Sequence, residues 1–238
     1  MNCILDMHCH TIASGHAYST LQEIVSSAKQ KGLKLVGISD HAPAMPGTAH
    51  IFYFANLKVI PKVIDDIRVL KGVEANIIDY DGNIDMTERD LRGLDYAIAS
   101  MHTPCLKPSS IEENTKAIIK AMDNPYIKII GHPDDSRYLL DYEKIVKYAK
   151  KRKILLEVNN SSLRPEALRK NAMGNVMEYL KLCKEYEVPV IFSSDAHISF
   201  DVGNFQYCKE VARMVDFPEE LVVNASIEYL NNYINVLL

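Results

Sequence analysis

Seven short runs of apolar and β-branched residues, separated by helix-like segments, constrain this chain more than any other feature. The runs cover residues 3–8 (CILDMH), 33–39 (LKLVGIS), 69–78 (VLKGVEANII), 94–100 (LDYAIAS), 127–132 (IKIIGH), 154–159 (ILLEVN) and 188–194 (VPVIFSS). Helical patterning predicts helices over 20–31, 55–68, a short stretch near 87–92, 110–123, 141–152, 172–187 and 203–216. Several begin on residues that cap well: Ser19 or Thr20, Ser109 or Ser110, and Asp141. Strands that alternate with helices imply a parallel sheet with right-handed crossovers, because each crossover helix must pack back on the sheet. Seven such units in 238 residues, without a linker, low-complexity break or internal repeat, suggest one closed α/β barrel, one unit short of the usual eight. A doubly wound open sheet is the alternative. The length is ordinary for a single barrel and ample for a core of its own.

The eight histidines are distributed on that pattern. His8, His10, His41, His102, His132 and His197 each fall at or just beyond the C-terminal end of a predicted strand. His16 follows the first strand by a few residues, and His50 sits in the loop after the second. In a parallel barrel all strand C-termini open on one face, where active sites are built. A single histidine there is ordinarily a satisfied core or loop residue; seven or eight on one rim point to a shared site. His8 and His10 are two residues apart on a strand, so they project to one side with roots about 7 Å apart. Two such imidazoles can converge on one ion at about 2.0–2.1 Å from each nitrogen. Cys9 between them then faces away and reads as wall packing, while Asp6 upstream adds a carboxylate.

Their partners lie far along the chain. Glu74 stands inside an apolar strand, where an unpaired carboxylate is expensive to bury. Asp195 and His197 form a second pair with the same spacing as His8 and His10. The candidate ligands are His8, His10, His16, His41, Glu74, His102, His132, Asp195 and His197. These exceed one tetrahedral site, and a carboxylate such as Glu74 can bridge two ions, so the set suits two or three metals. Nitrogen-rich and free of thiolate, it fits zinc, manganese or iron better than magnesium or calcium. Neutral histidines and two carboxylates carry about −2 against about +6 for three divalent ions. The site is therefore expected to attract a phosphate dianion, polarise its oxygens and supply hydroxide from a bound water.

At these residues the sequence resembles the polymerase-and-histidinol-phosphatase (PHP) superfamily over nearly its whole length. The resemblance rests on HxH (His8, His10), the loop His16, SDH with His41, Glu74 in a GxE-like context, SMH with His102, GHPD with His132 and DxH with Asp195 and His197. It is similar to the YcdX-like stand-alone branch, which EVNNSS (157–162), SSDAH (193–197) and the tail VDFPEELVVNAS further suggest. The resemblance implies a distorted (βα)7 TIM-like barrel as a single domain over 1–238. It implies a trinuclear centre of three divalent ions, zinc foremost and manganese or iron as alternatives. His8, His10, Glu74 and Asp195 would hold one metal; Glu74, His102 and His132 the second; His16, His41 and His197 the third. Phosphoester hydrolysis by a metal-bridging hydroxide follows, with Glu74, Asp195 and His197 as catalytic residues on a small phosphorylated substrate.

The remaining rim residues are expected to shape specificity. Arg137, Arg164 and Arg169 can clamp phosphate, against an ordinary surface role for each. Asn159, Asn160 and Ser161 can contact substrate or close a turn. The loop 42–54 reads as a substrate lid or as a packed connection, with His50 a substrate contact. Asp40, Asp134 and Asp135 are candidates for the leaving-group acid or for partners that orient a histidine.

Rival readings are an amidohydrolase-type C–N hydrolase, a metal-dependent nuclease, and a non-catalytic metal-binding module. Net charge −4 and pI near 6.1 give no general attraction to nucleic acid or an anionic membrane. The basic run 147–153 reads as a solvated helix end. With no apolar run near the roughly 20 residues of a membrane helix, no visible signal peptide and five scattered cysteines read as mostly buried reduced thiols, the cytoplasm is the expected location. Substrate identity and oligomeric state are not legible.

Overall fold

The computed structural model describes residues 1–236. Its elements, in chain order, are β1 (Leu5–Cys9), α1 (Leu21–Gln30), β2 (Leu35–Ile38), α2 (Ile51–Asn56), β3 (Val63–Ile64), β4 (Ile67–Lys71), β5 (Glu74–Asn76), α3 (Glu88–Leu91), β6 (Ala97–Ser100), α4 (Ile111–Ala121), β7 (Ile127–Ile130), α5 (Tyr142–Arg152), β8 (Leu155–Asn159), α6 (Ala172–Glu185), β9 (Val190–Ser193), α7 (Gln206–Met214) and α8 (Ile227–Leu230). Two sheets form, in the orders β1-β2-β4-β3 and β5-β6-β7-β8-β9. Every pairing is parallel except the β3–β4 hairpin.

The two sheets are parts of one wall. β4 runs through Gly72 and Val73 into β5, so the predicted third strand is a single bent stave, and His41 bridges Glu74 across the bend. At the other seam, Cys9 of β1 bridges Ala196 just beyond β9, with His10 N donating to Ala196 O at 2.8 Å. Lower in that seam Asn224 substitutes for a ladder: its Oδ1 accepts from Phe192 N, and its Nδ2 donates to Leu5 O and Phe192 O. Seven staves thus close into a distorted (βα)7 barrel, which removes the open-sheet alternative.

The interior holds one apolar side chain or more from every stave: Leu5, Met7, Leu35, Leu70, Tyr96, Ile98, Ile129, Leu155 and Ile191. Val223, Leu230, Ile234 and Val236 cover the end away from the strand C-termini. Tyr96 fills the middle and donates its hydroxyl to Met7 O at 2.6 Å. It fits because Gly37 and Gly72 face it; a Cβ on either would lie 2.2 Å and 2.4 Å from its ring atoms or hydroxyl. The helices pack outside on a second layer that includes Cys9, Val36, Ile130, Val158 and Phe192, so Cys9 is the wall residue that alternation predicts.

A register shift in β1 decides which side chains reach the top of the barrel. The pairing with β2 gains a residue between Asp6 and Cys9, a bulge that reverses the alternation. Met7 therefore packs in the apolar interior while His8, its neighbour, also points inward. Asp6 points out, where its carboxylate accepts from Ser194 N and Gly203 N. The upstream carboxylate is thus not part of the site.

The helix expected over 55–68 is corrected. α2 ends at Asn56, and residues 63–71 form the β3–β4 hairpin. Pro61 stops helix growth, and Asp65 and Asp66, both at positive φ (50° and 67°), make the two-residue turn. The lysines and arginine of the 147–153 run are exposed along the end of α5, as expected. The tail, for which the sequence predicts no element, makes short 3-10 turns and α8.

Candidate metal centre

Every one of the nine candidate ligands comes to the C-terminal end of the staves. Glu74 is at the centre, fully buried on β5. Its Oε2 lies 3.4 Å from His8 Nε2, 3.6 Å from His10 Nε2 and 2.6 Å from His41 Nδ1. Its Oε1 lies 3.3 Å from His102 Nε2 and 2.8 Å from His132 Nε2. The two oxygens therefore face different sets of histidines. Asp195 Oδ1 closes the first set, 3.2 Å from His10 Nε2 and 3.6 Å from His8 Nε2. Nearer solvent, His197 Nε2 stands 3.0 Å from His16 Nε2, and the His16 and His41 rings are 5.0 Å apart. The groups share borders: ligand atoms lie within 4.8 Å of one another in the set His10, His41 and His197, in the set His8, His10 and Glu74, and in the set His41, Glu74 and His102.

Two candidate ligands depend on unusual backbone. His132 (φ 28°) and Asp195 (φ 52°) adopt positive φ, which costs free energy in a residue with a Cβ and clusters at functional sites. His132 N donates to Glu157 Oε2 at 2.7 Å, which helps hold that conformation.

Behind the ligands stand carboxylates. Glu157 Oε1 accepts from His8 Nδ1 at 2.7 Å. Asp40 Oδ1 accepts from the Ser14 hydroxyl at 2.6 Å, so Ser14 Oγ is left to accept from His10 Nδ1 at 3.0 Å. Asp85 accepts from Asn76 N and Nδ2, which turns Asn76 Oδ1 towards His102 Nδ1 at 2.7 Å. These partners place a proton on Nδ1 of His8, His10 and His102 and turn each Nε2 towards the centre, the nitrogen that would ligate a metal.

The electrostatics match. Burial works to raise the Glu74 carboxyl, but His102, His41 and His8 outweigh it and hold the group well below the usual carboxylate range. Asp195 is likewise held low against burial by His8, His10, His197 and Arg169. Burial, with neighbouring histidines, depresses His10 and His16, and brings His102 down to about 4 despite Glu74. Those rings are neutral near pH 7, the form that ligates metal. His8 goes the other way: burial is overcome by Glu157, Glu74 and Asp195, which raise it well above its ordinary value.

A metal fits this donor set on a direct observation. His8 Nε2, His10 Nε2, His41 Nδ1 and Glu74 Oε2 are all buried without a hydrogen-bond partner. The 2.6 Å approach of His41 to Glu74 lacks hydrogen-bond alignment. Buried polar atoms left unpaired cost about 1–3 kcal/mol each, and here four of them converge on one region that a divalent cation would satisfy.

Outside the deep ligands is an open cleft of about 410 Å³, lined by His16, His41, His102, Asp195 and His197 together with Arg137, Arg164, Arg169, Ser161 and Glu166. The structure thus brings the three arginines to the cleft. Arg137 pairs with Asp135 at 2.5 Å, Arg164 with Asp201 at 2.8 Å, and Arg169 donates to Ser162 Oγ at 2.8 Å. His50 and Asn160 do not reach it. His50 is exposed at the start of α2, its Nδ1 accepting from Phe52 N. Asn160 is buried, its Oδ1 accepting from Tyr207 N and Cys208 N in the first turn of α7. The loop 42–54 is pinned: Ala44 N donates to Asp85, and Tyr53 Oη to Asp40 at 2.5 Å. Between these anchors its Met45 reaches the cleft wall.

None of Asp40, Asp134 and Asp135 lines the cleft. Asp40 orients His10 through Ser14, and Asp135 holds Arg137. Asp134 is fully buried, and burial pushes its carboxyl up despite Arg169 and His132. Sequence reasoning passed over Glu157, Ser14, Asn76 and Asp85. Glu157 carried the same signal as Glu74, a carboxylate inside an apolar strand; the other three carried none.

Comparison with known proteins places the chain among relatives. Residues 6–161 match the model of the PHP domain. A protein of Clostridium novyi (strain NT) named "probable phosphatase" is 45% identical over 234 residues, covering 98% of this chain and 95% of the relative. One from Thermoanaerobacter sp. (strain X514), also named "probable phosphatase", is 46% identical over 235 residues, with 98% and 95% covered. Among solved structures, histidinol phosphate phosphatase from Lactococcus lactis, complexed with zinc, L-histidinol and phosphate, superposes with a TM-score of 0.59 at 15% identity, covering 90% of this chain and 94% of that one.

Proposed function

This chain belongs to the PHP domain family, and from that premise we propose that it is a metal-dependent phosphatase acting on a small-molecule phosphate monoester. The observation that carries the reading is the convergence of four unpartnered buried donor atoms around Glu74 beneath an arginine-lined cleft. The domain responsible is taken to be the whole of residues 1–238. The ligand assignment is a proposal of the same kind. His8, His10, Glu74 and Asp195 would hold one divalent ion, Glu74, His102 and His132 a second, and His16, His41 and His197 a third, with zinc the best match to a nitrogen-rich set. Bound there, divalent metal supplies positive charge to phosphate oxygens and an activated water at neutral pH.

The chain's own residues do the rest. The groups behind His8, His10 and His102 hold a proton on each Nδ1 and aim each Nε2 inward. Arg169, Arg137 and Arg164 present N–H donors to the cleft and are held in place by Asp135, Asp201 and Ser162, so an entering phosphate meets donors that need little further ordering. His16, His41, His102, Asp195 and His197 reach the cleft floor, where a phosphate can touch the centre while the rest of the substrate stays outside. With net positive charge at the loaded centre, a dianion is drawn to that point on a protein that is acidic overall.

The test joins metal analysis of purified protein to a phosphate-release screen over sugar, amino-alcohol and nucleotide phosphates, with an amide substrate in parallel. At least one tightly held transition metal per chain is expected, with release lost on chelation and regained on metal return. Less than one metal per chain with no activity on reconstitution overturns the reading, and so does amide hydrolysis without phosphate release.

A further inference from the structure

Of the seven staves, β8 alone provides none of the nine candidate ligands. Its inward positions at the top are Glu157 and Asn159, both fully buried. Glu157 is not spare. Its Oε1 accepts from His8 Nδ1 at 2.7 Å, while Oε2 accepts from His132 N at 2.7 Å and from Asn159 Nδ2 at 3.0 Å. Asn159 Nδ2 is also 3.1 Å from Asp195 Oδ2. One carboxylate therefore ties together ligands from β1, from the end of β7 and, through Asn159, from the end of β9.

We propose that Glu157 is a positioning residue of the metal centre: it sets the proton of His8 on Nδ1, so that Nε2 is free to ligate, and holds His132 and Asp195 in the same frame. The inference rests on the metal-dependent reading above. Its chemistry is specific to a carboxylate. Three donors point at Glu157, and only a group with two acceptor oxygens can receive them all. A glutamine in the same place has one. With its oxygen towards His8, its amide N–H groups face the N–H groups of His132 and Asn159. With its amide towards His8, the ring must accept at Nδ1, which moves the proton to Nε2 and points it at the metal position. Either choice damages the centre, although the side chain keeps its size.

The experiment compares wild type with Glu157→Gln and Glu157→Asp, using Zn²⁺ alone as the probe. Zinc content, zinc affinity and the nitrogen NMR shifts of the His8 ring are measured on zinc-loaded protein, and thermal unfolding on loaded and metal-stripped protein. Wild type is expected to retain zinc with His8 protonated at Nδ1. Glu157→Gln is expected to bind zinc about 10–100-fold more weakly, the usual cost of removing a partner behind a metal-bound histidine. Its metal-stripped form should lose less stability against stripped wild type than its loaded form loses against loaded wild type, so that the difference reads the part that depends on zinc. Glu157→Asp, which keeps two oxygens but retracts them, should fall between. Equal zinc affinity in wild type and Glu157→Gln, or an unchanged His8 proton position, overturns the proposal. Equal destabilisation with and without zinc also overturns it, since that marks a purely structural role. Should Glu157→Gln not fold, the same readings on Glu157→Asp decide. Failure of wild type itself to hold zinc would instead sink the metal-dependent reading.

Discussion

His8 owes its place to its neighbours on both sides. The bulge in β1 turns it inward beside Met7, Glu157 orients its ring from behind, and Glu74 and Asp195 face its free nitrogen. Replacing it removes a proposed ligand from the most buried group while leaving the apolar interior beneath untouched. His8→Ala is expected to lower phosphate release by about 100-fold or more, since loss of an outer partner alone costs 10–100-fold, with the far-UV circular dichroism spectrum retained. Ser14 acts at one remove. Its hydroxyl bridges Asp40 to His10 and also accepts from His41 N at 3.2 Å. Ser14→Ala should therefore weaken metal retention and lower the melting temperature more in the zinc-loaded protein than in the metal-stripped protein, a split that calorimetry with and without zinc reads.

At the scale of elements, close packing dictates where side chains cannot be. Tyr96 occupies the space that Gly37 and Gly72 leave. Gly37→Ala places a Cβ 2.2 Å from the Tyr96 hydroxyl oxygen, an overpacking expected to cost about 1–3 kcal/mol. Tyr96→Phe removes the oxygen in question, so the double variant should lose less stability than the two single losses added together, as contacting residues do. Strict additivity in urea unfolding would show that the two do not share that space. The β3–β4 hairpin teaches a related lesson. Residues 55–68 carry apolar spacing that suits a helix, but Pro61 and the Asp65–Asp66 turn divide them, and pairing with β2 rewards an extended β4.

For the whole molecule, stability hangs on closing the barrel. The seam between β1 and β9 is bridged at the bottom by the Asn224 side chain, which makes three buried hydrogen bonds. Asn224→Ala removes these and leaves backbone groups of Leu5 and Phe192 unpaired, at about 3 kcal/mol in sum. For a protein of this size the melting temperature should fall by about 6–12 °C; an unchanged melting temperature would mean the seam does not depend on Asn224. Metal enters at the same scale, because the proposed ligands come from six of the seven staves. Chelation is expected to lower the melting temperature by an amount that grows with the logarithm of metal affinity, and zinc return to restore it. Among the described residues no helix is long and apolar enough to cross a membrane.

The sequence by itself determined the alternation of strand and helix, the gathering of histidines at strand ends, and the significance of Glu74, because burial period and the cost of an unpaired carboxylate act locally and leave marks that can be read along the chain. It did not reveal that Asp6 faces away, since one extra residue in β1 reverses an alternation that looks regular on paper. Nor did it separate Arg169, which reaches the cleft, from His50 and Asn160, which serve helix starts. Those outcomes depend on which loop meets which, and partners such as Asn160 and Tyr207, or Glu157 and His8, are far apart in sequence. Glu157 falls between the two: its burial was legible in ILLEVN, but its purpose was not. Only closure of the barrel brings three donors from different staves onto one carboxylate, and a hydrogen bond has no address in the sequence until both of its ends have been placed.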